Sequence, residues 1–205
     1  MICVIDYGIG NLGSILNMLK RIGAPAMVSG DPSEICKADR LILPGVGAFD
    51  TGMRNLAERG LITVLEQRAL GDRVPILGVC LGAQLLTERS QEGVLPGLGW
   101  IPGETVHFDL DPADTRLKIP HMGWSEVRAT RAHPLFAGLD DEARFYFVHS
   151  YHLSCRDEEN VLGVARHGYD FPAAIGAGNM LGVQFHPEKS HRYGMQLLRN
   201  FAERV

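Results

Sequence analysis

Through roughly the first 90 residues, short apolar runs alternate with segments of helical period, and this alternation limits the chain to a narrow set of folds. Ile2–Asp6 is an apolar run ending at Tyr7-Gly8-Ile9-Gly10-Asn11, after which Leu12, Ile15, Leu16 and Leu19 recur at helical spacing up to Gly23. Ala26–Ser29 reads as a second strand. Arg40–Leu43 reads as a third, expected to stop at Pro44-Gly45-Val46-Gly47, because proline and glycine suit a sheet interior poorly. Asp50 or Thr51 is a suitable N-cap for a helix that carries Met53, Leu56, Ala57, Leu61, Val64 and Leu65 on one face. Pro75–Val79 predicts a further buried strand and Leu81–Arg89 a further helix. Strands and helices in this order imply βαβ units, hence a parallel sheet covered on both faces, with chemical groups gathered at the strands' C-terminal ends.

From about residue 93 the pattern changes. Trp124–Arg128, Arg144–Tyr151, Asn160–Arg166, Phe171–Ile175 and Met180–Phe185 are shorter β-like pieces expected to form hairpins. His191–Val205 carries Tyr193, Leu197, Leu198 and Phe201 at helical spacing and should pack back on the sheet. With 205 residues and no repeat or linker, the expectation is one domain spanning 1–205. Charge then excludes some functions. Twenty Lys+Arg stand against 24 Asp+Glu, and no basic run is interleaved with aromatics, which argues against a nucleic-acid partner. The apolar runs fall far short of the ~18 residues of a membrane helix, and the N-terminus has no basic lead, so a cytoplasmic protein without a membrane partner is expected.

The strongest local signal is Gly78-Val79-Cys80-Leu81-Gly82, set between an apolar strand and a helical run. Glycines two residues either side of a nucleophile let strand and helix approach closely and form a strained turn that exposes the thiol at a helix N-terminus. Helix dipole and backbone amides there favour thiolate over thiol. Cys3, Cys36 and Cys155 lack this context and read as buried fillers. A thiolate needs a base. His186 follows the apolar run Met180–Phe185 and opens His186-Pro187-Glu188, where proline fixes the chain direction and can set histidine and glutamate side by side. Cys80, His186 and Glu188 would then form a triad assembled by the fold. Backbone donors for an oxyanion are expected from the Pro44-Gly45-Val46-Gly47 turn and from the amide of Leu81. His149 and His152 flank Ser150-Tyr151, but no third ligand stands at a metal-binding spacing, so substrate contact or strand packing is expected and no metal. Phe145, Tyr146, Phe147 and Tyr151 read as core and sheet-edge packing.

Together these residues resemble the class I, triad-type glutamine amidotransferases. More narrowly, Pro44–Phe49, Gly78–Leu86, His121–Trp124, Tyr146–Tyr151, Gly182–Ser190 and Leu197–Phe201, in that order, resemble the glutaminase subunits of imidazole glycerol phosphate synthases. The resemblance implies an α/β, flavodoxin-like three-layer fold with a central, mainly parallel sheet and a β-rich addition in the second half. It implies no cofactor, and L-glutamine as substrate. By it, Cys80 is the nucleophile, His186 the proton shuttle and Glu188 its support; Val46 and Leu81 give oxyanion amides; Gly47, Gln84, Glu92, His149, Ser150 and Tyr151 hold glutamine. Trp124, Tyr146 and Lys189 would face a (β/α)₈-barrel cyclase subunit in a heterodimer that takes up the ammonia for histidine biosynthesis. The oxyanion loop is expected to stay misaligned, with Val46 as the flipping peptide, until that partner docks. Ala83, Ser125, Gly99-Trp100 and Tyr169-Asp170-Phe171 depart from the usual forms, which leaves a different ammonia acceptor, such as a surface-sugar enzyme, as the alternative. A stand-alone γ-glutamyl hydrolase and a noncatalytic module are the more distant ones.

Overall fold

A computed structural model of the chain describes residues 1–113 and 115–205. Its first half runs β1 (Ile2–Ile5), α1 (Leu12–Arg21), β2 (Ala26–Ser29), α2 (Pro32–Ile35), β3 (Arg40–Gly45), α3 (Phe49–Glu58), α4 (Leu61–Glu66), β4 (Ile76–Cys80) and α5 (Leu81–Leu85). The second half is mostly strand: β5 (Arg89–Ser90), β6 (Gly103–His107), β7 (His121–Glu126), β8 (Arg128–Ala129), β9 (Arg144–His149), β10 (Tyr151–Cys155), β11 (Val161–His167), β12 (Tyr169–Ala177) and β13 (Met180–Val183), closed by α6 (His191–Arg204).

The central sheet has the order β2-β1-β3-β4-β13-β12-β11-β8. From β2 to β13 every neighbouring pair is parallel; β12, β11 and β8 extend the sheet antiparallel. Parallel neighbours need crossovers, and the helices between β1 and β4 supply them. Alternate strand residues serve opposite faces. Ile2, Val4, Ile42, Leu77 and Val79 meet Ile15 and Leu19 of α1 and Leu197, Leu198 and Phe201 of α6, all buried. Cys3, Ile5, Leu41, Leu43 and Ile76 face the other way, onto Phe49, Met53 and Leu56 of α3 and Leu61 and Leu65 of α4. Two smaller sheets, β10-β6-β5 and the β7-β9 ribbon, stand beside the main one.

Several local expectations are corrected. The third strand does not stop before Pro44 but runs on to Gly45. Its pairing with β1 ends at Ile42, so at Pro44 it has β4 as its one neighbour and a missing N–H is tolerated. The following helix begins at Phe49, with Ala48 rather than Asp50 or Thr51 at the N-cap. Glu92 reaches across to accept from the Phe49 N–H at 2.8 Å, while the Asp50 carboxylate accepts from Val94 and Leu95 N–H at 3.0 Å. Gly60, at φ +66°, breaks the long expected helix into α3 and α4. The helix after Cys80 ends at Leu85 instead of Arg89, and the expected strand Arg144–Tyr151 divides at Ser150 between two sheets. Cys36 is exposed, not a buried filler.

Candidate active site

The site forms where three parallel strands end. Gly45 of β3 pairs with Cys80 of β4, and Val79 pairs with Val183 of β13, three residues before His186. Neighbouring parallel strands deliver their C-terminal ends to one edge, so residues more than a hundred positions apart meet there.

Cys80 sits at φ +53°, ψ −111°, a conformation sparsely populated by any residue with a side chain. Its glycine neighbours make that turn possible. A Cβ on Gly78 would stand 2.6 Å from the Gly82 carbonyl oxygen, and one on Gly82 only 1.8 Å from the Leu43 carbonyl oxygen. The elbow is thus pressed between its own helix and β3, with the thiol aimed into a cavity.

His186 and Glu188 lie on the short turn after β13, with side chains 2% and 1% exposed and Nδ1 to Oε1 at 2.8 Å. The second carboxylate oxygen, Oε2, and the His186 Nε2 are buried without a hydrogen-bond partner. The ring also lies close enough to Cys80 for the thiol to act on its charge. Burial opposes charging this ring, but Cys80 and Glu188 outweigh burial and push the His186 pKa up to about 9. Both partners favour the protonated ring, the form that can give a proton away.

A cavity of about 460 Å³ opens over these groups. Val46, Gly47, Cys80, Leu81, Gln84, Glu92, His149, Ser150, Tyr151, His186 and Lys189 line it, so the residues expected to form the oxyanion and glutamine subsites are brought together, with Glu188 behind His186. Two expectations change in detail. Glu92 has one oxygen engaged by the Phe49 N–H. The side chain of His149 is buried, and both ring nitrogens are taken, by the Tyr151 carbonyl at 2.8 Å and by His121 at 3.1 Å. Its ring nitrogens are thus engaged within the protein, while the residue still lines the cavity. Gln84 donates to the Tyr151 carbonyl at 3.1 Å and to Gln184 Oε1 at 3.2 Å.

Three residues of the site were not singled out from the sequence. Gln184, wholly buried, places Nε2 3.9 Å from the Cys80 sulfur. A glutamine inside the apolar run Met180–Phe185 was the available signal, because a buried carboxamide must find partners. Tyr7 is buried and donates to the Pro44 carbonyl at 2.5 Å, fixing the end of β3; burial, with Cys80 nearby, holds its hydroxyl well above the usual phenol range. His121 carried a motif but no role. His152 is buried beside Phe108, with its ring nitrogens on the Leu153 carbonyl and the Tyr169 hydroxyl, so packing accounts for it. Among the described residues, no group of three or more His, Cys, Asp or Glu side chains is arranged to hold a metal ion.

Trp124, Tyr146 and Lys189 form one patch that meets the cavity at Lys189. Trp124 is 45% exposed, its ring meets Tyr146 edge-on at 6.1 Å, and the Lys189 ammonium lies 5.6 Å from the Tyr146 ring. The Tyr146 backbone carbonyl also accepts from the His186 backbone N–H at 2.9 Å, which ties the two backbones together.

A strained cysteine elbow, a His–Glu pair on the turn after the adjacent parallel strand and a cavity over both have the form of a triad-type hydrolase site on an α/β sheet. The family model for class-I glutamine amidotransferases matches residues 3–205. The imidazole glycerol phosphate synthase subunit HisH 2 of Pseudomonas aeruginosa is 51% identical over 205 residues, covering 100% of both chains. HisH 2 of Methanococcus maripaludis is 49% identical, again over 100% of both. HisH of Bdellovibrio bacteriovorus is 46% identical over 99% of this chain and 100% of that one. The chain belongs to the class-I glutamine amidotransferase family and, within it, to the HisH subunits. Solved structures agree on the fold: PurLQS from Thermotoga maritima superposes with a TM-score of 0.75 at 18% identity, covering 98% of this chain and 96% of that one. The glutaminase domain of Trypanosoma brucei CTPS, with bound acivicin, gives 0.66 at 14% identity, covering 100% and 94%.

Proposed function

We propose that this chain is the glutaminase subunit of an imidazole glycerol phosphate synthase: it hydrolyses L-glutamine to L-glutamate and ammonia and hands the ammonia to a cyclase partner in histidine biosynthesis. The observation that carries the chemistry is the buried His186, held by Glu188 at Nδ1, lining one cavity with the strained Cys80.

The Cys80 thiolate adds to the side-chain carboxamide carbon of glutamine, and negative charge moves to the carboxamide oxygen. Backbone N–H groups of Leu81 and Val46 receive that charge. His186 gives its Nε2 proton to the departing nitrogen, the C–N bond breaks, and a γ-glutamyl thioester and ammonia remain. Now neutral, His186 takes a proton from water as the water oxygen attacks the thioester. The C–S bond then breaks, restoring thiolate and imidazolium and releasing glutamate. Glu188, held at Nδ1, keeps the ring oriented and favours its charged form. Gly47, Gln84, Glu92 and the His149-Ser150-Tyr151 stretch hold the glutamine body, while Val46, between two glycines, is where the oxyanion loop turns on partner docking.

The Trp124–Tyr146–Lys189 patch is the docking face for a (β/α)₈-barrel cyclase in a heterodimer: an exposed indole beside an ammonium, adjoining His186, suits a surface across which a small neutral product passes. The test is glutamine-dependent ammonia release with and without the cyclase subunit and its imidazole-forming ligand. The expected result is slow release by the chain alone and strong acceleration by the liganded partner; equal rates would send the ammonia to another acceptor.

A further inference from the structure

His121 and His149 lie directly opposite each other on the β7-β9 ribbon, 4% and 7% exposed. The His121 ring is clamped flat between Phe147, at 4.8 Å, and His167, at 4.2 Å, so its two nitrogens point in fixed directions. Nδ1 meets His149 Nε2 at 3.1 Å and Nε2 meets the Ser125 hydroxyl at 2.9 Å. His149 Nδ1 meets the Tyr151 carbonyl at 2.8 Å.

One atom fixes the direction of every bond in this chain. The Tyr151 carbonyl oxygen only accepts, so His149 Nδ1 carries a proton. Burial holds both rings neutral, pulling His121 down to about 4 and His149 to about 3, so each has one proton. His149 Nε2 is then an acceptor, His121 Nδ1 the donor to it, and His121 Nε2 an acceptor that obliges Ser125 to donate. The same carbonyl works in the opposite direction. It obliges Gln84 to present its NH₂, both protons of which go to Tyr151 and to Gln184 Oε1, leaving Gln84 Oε1 as its one acceptor for an occupant. Gln184 is thereby turned so that its own NH₂ faces the Cys80 sulfur.

We propose that Ser125, His121 and His149 form a hydrogen-bond relay of fixed polarity that positions the Tyr151 carbonyl and, through it, the Gln84 carboxamide for glutamine. Ser125 and His121 are positioning residues: neither lines the cavity. The functional part of this inference rests on the cavity being the glutamine site.

Two measurements test it. Nitrogen-15 NMR of the histidine rings in the full chain at neutral pH should show Nδ1–H for both His121 and His149, the opposite of the form preferred by free imidazoles. Nε2–H at either ring overturns the relay. In the complex with the cyclase subunit, Ser125→Ala should raise the glutamine KM about fivefold, more than it lowers kcat, with Ser125→Thr returning both toward wild type. His121→Phe, which keeps the stacking and removes both nitrogens, should raise KM about tenfold. Unchanged KM in Ser125→Ala and His121→Phe, or loss confined to kcat, overturns the positioning role. Failure of the glutaminase reading appears separately, as absence of ammonia release by the wild-type complex, and the ring spectra then still decide the relay.

Discussion

The two halves of the site are made by different physics. The Cys80 half is a backbone device. Strand, strained turn and helix are forced together because Gly78 and Gly82 carry no Cβ, and the thiol's direction follows from φ and ψ. The His186 half is a side-chain device, in which a buried imidazole and carboxylate, a pair of neutral histidines and two carboxamides hold one another by hydrogen bonds. Backbone devices tolerate no added volume, whereas hydrogen-bonded ones tolerate volume but not a lost donor or acceptor.

Substitutions break this contrast most sharply at the nucleophile. Cys80→Ala should lower glutamine hydrolysis by a factor on the order of 10⁴ or more, while Cys80→Gly, equally inactive, should be the more stable of the two by about 1 kcal/mol because glycine relieves the positive φ. Thermal unfolding of the two variants checks this, and a higher melting temperature for the alanine form would mean that the elbow is not strained. Gly82→Ala puts a Cβ 1.8 Å from the Leu43 carbonyl oxygen. It should cost about 3 kcal/mol or more in denaturant unfolding.

On the hydrogen-bonded side, Glu188→Gln keeps the volume and should lower kcat about 10²- to 10⁴-fold, with a smaller change in KM. It should also move the pH profile. The pKa of His186 is raised, to about 9, so its protonated form adds stability fully present below the ordinary value of 6.5 and lost as pH rises through about 9. The proton for ammonia departure disappears over the same range, so activity should fall there in wild type and at lower pH in Glu188→Gln. At the small end, Cys36→Ser alters an exposed thiol outside both devices and should change stability by no more than ~0.5 kcal/mol and leave ammonia release unaltered.

This division also explains what the sequence disclosed. The alternation of apolar runs with helical segments is local, and so is Gly-x-Cys-x-Gly, so the parallel half and its elbow were legible from residue spacing. His186-Pro187-Glu188 was legible because proline and neighbouring positions tie the two side chains together. The strand through Pro44 and Gly45 was not, because its tolerance for proline depends on β1 ending its pairing at Ile42. Nor was the strand Gly103–His107, whose reason to exist is its partner Tyr151–Cys155. His121, Ser125 and Gln184 gained their roles from contacts across strands that no spacing encodes. Ser125, read from sequence as a departure from the usual motif, supplies the hydroxyl at the outer end of the histidine pair.

The parallel pairing of β4 with β13 also orders events in time. A chain made from its N-terminus presents the cysteine segment first, and the strand that flanks it, with the histidine and carboxylate that follow, about a hundred residues later. Until β13 pairs with β4, the proposed nucleophile stands without the histidine and carboxylate that follow that strand. On the proposed mechanism, then, one strand pairing both completes the sheet and assembles the site.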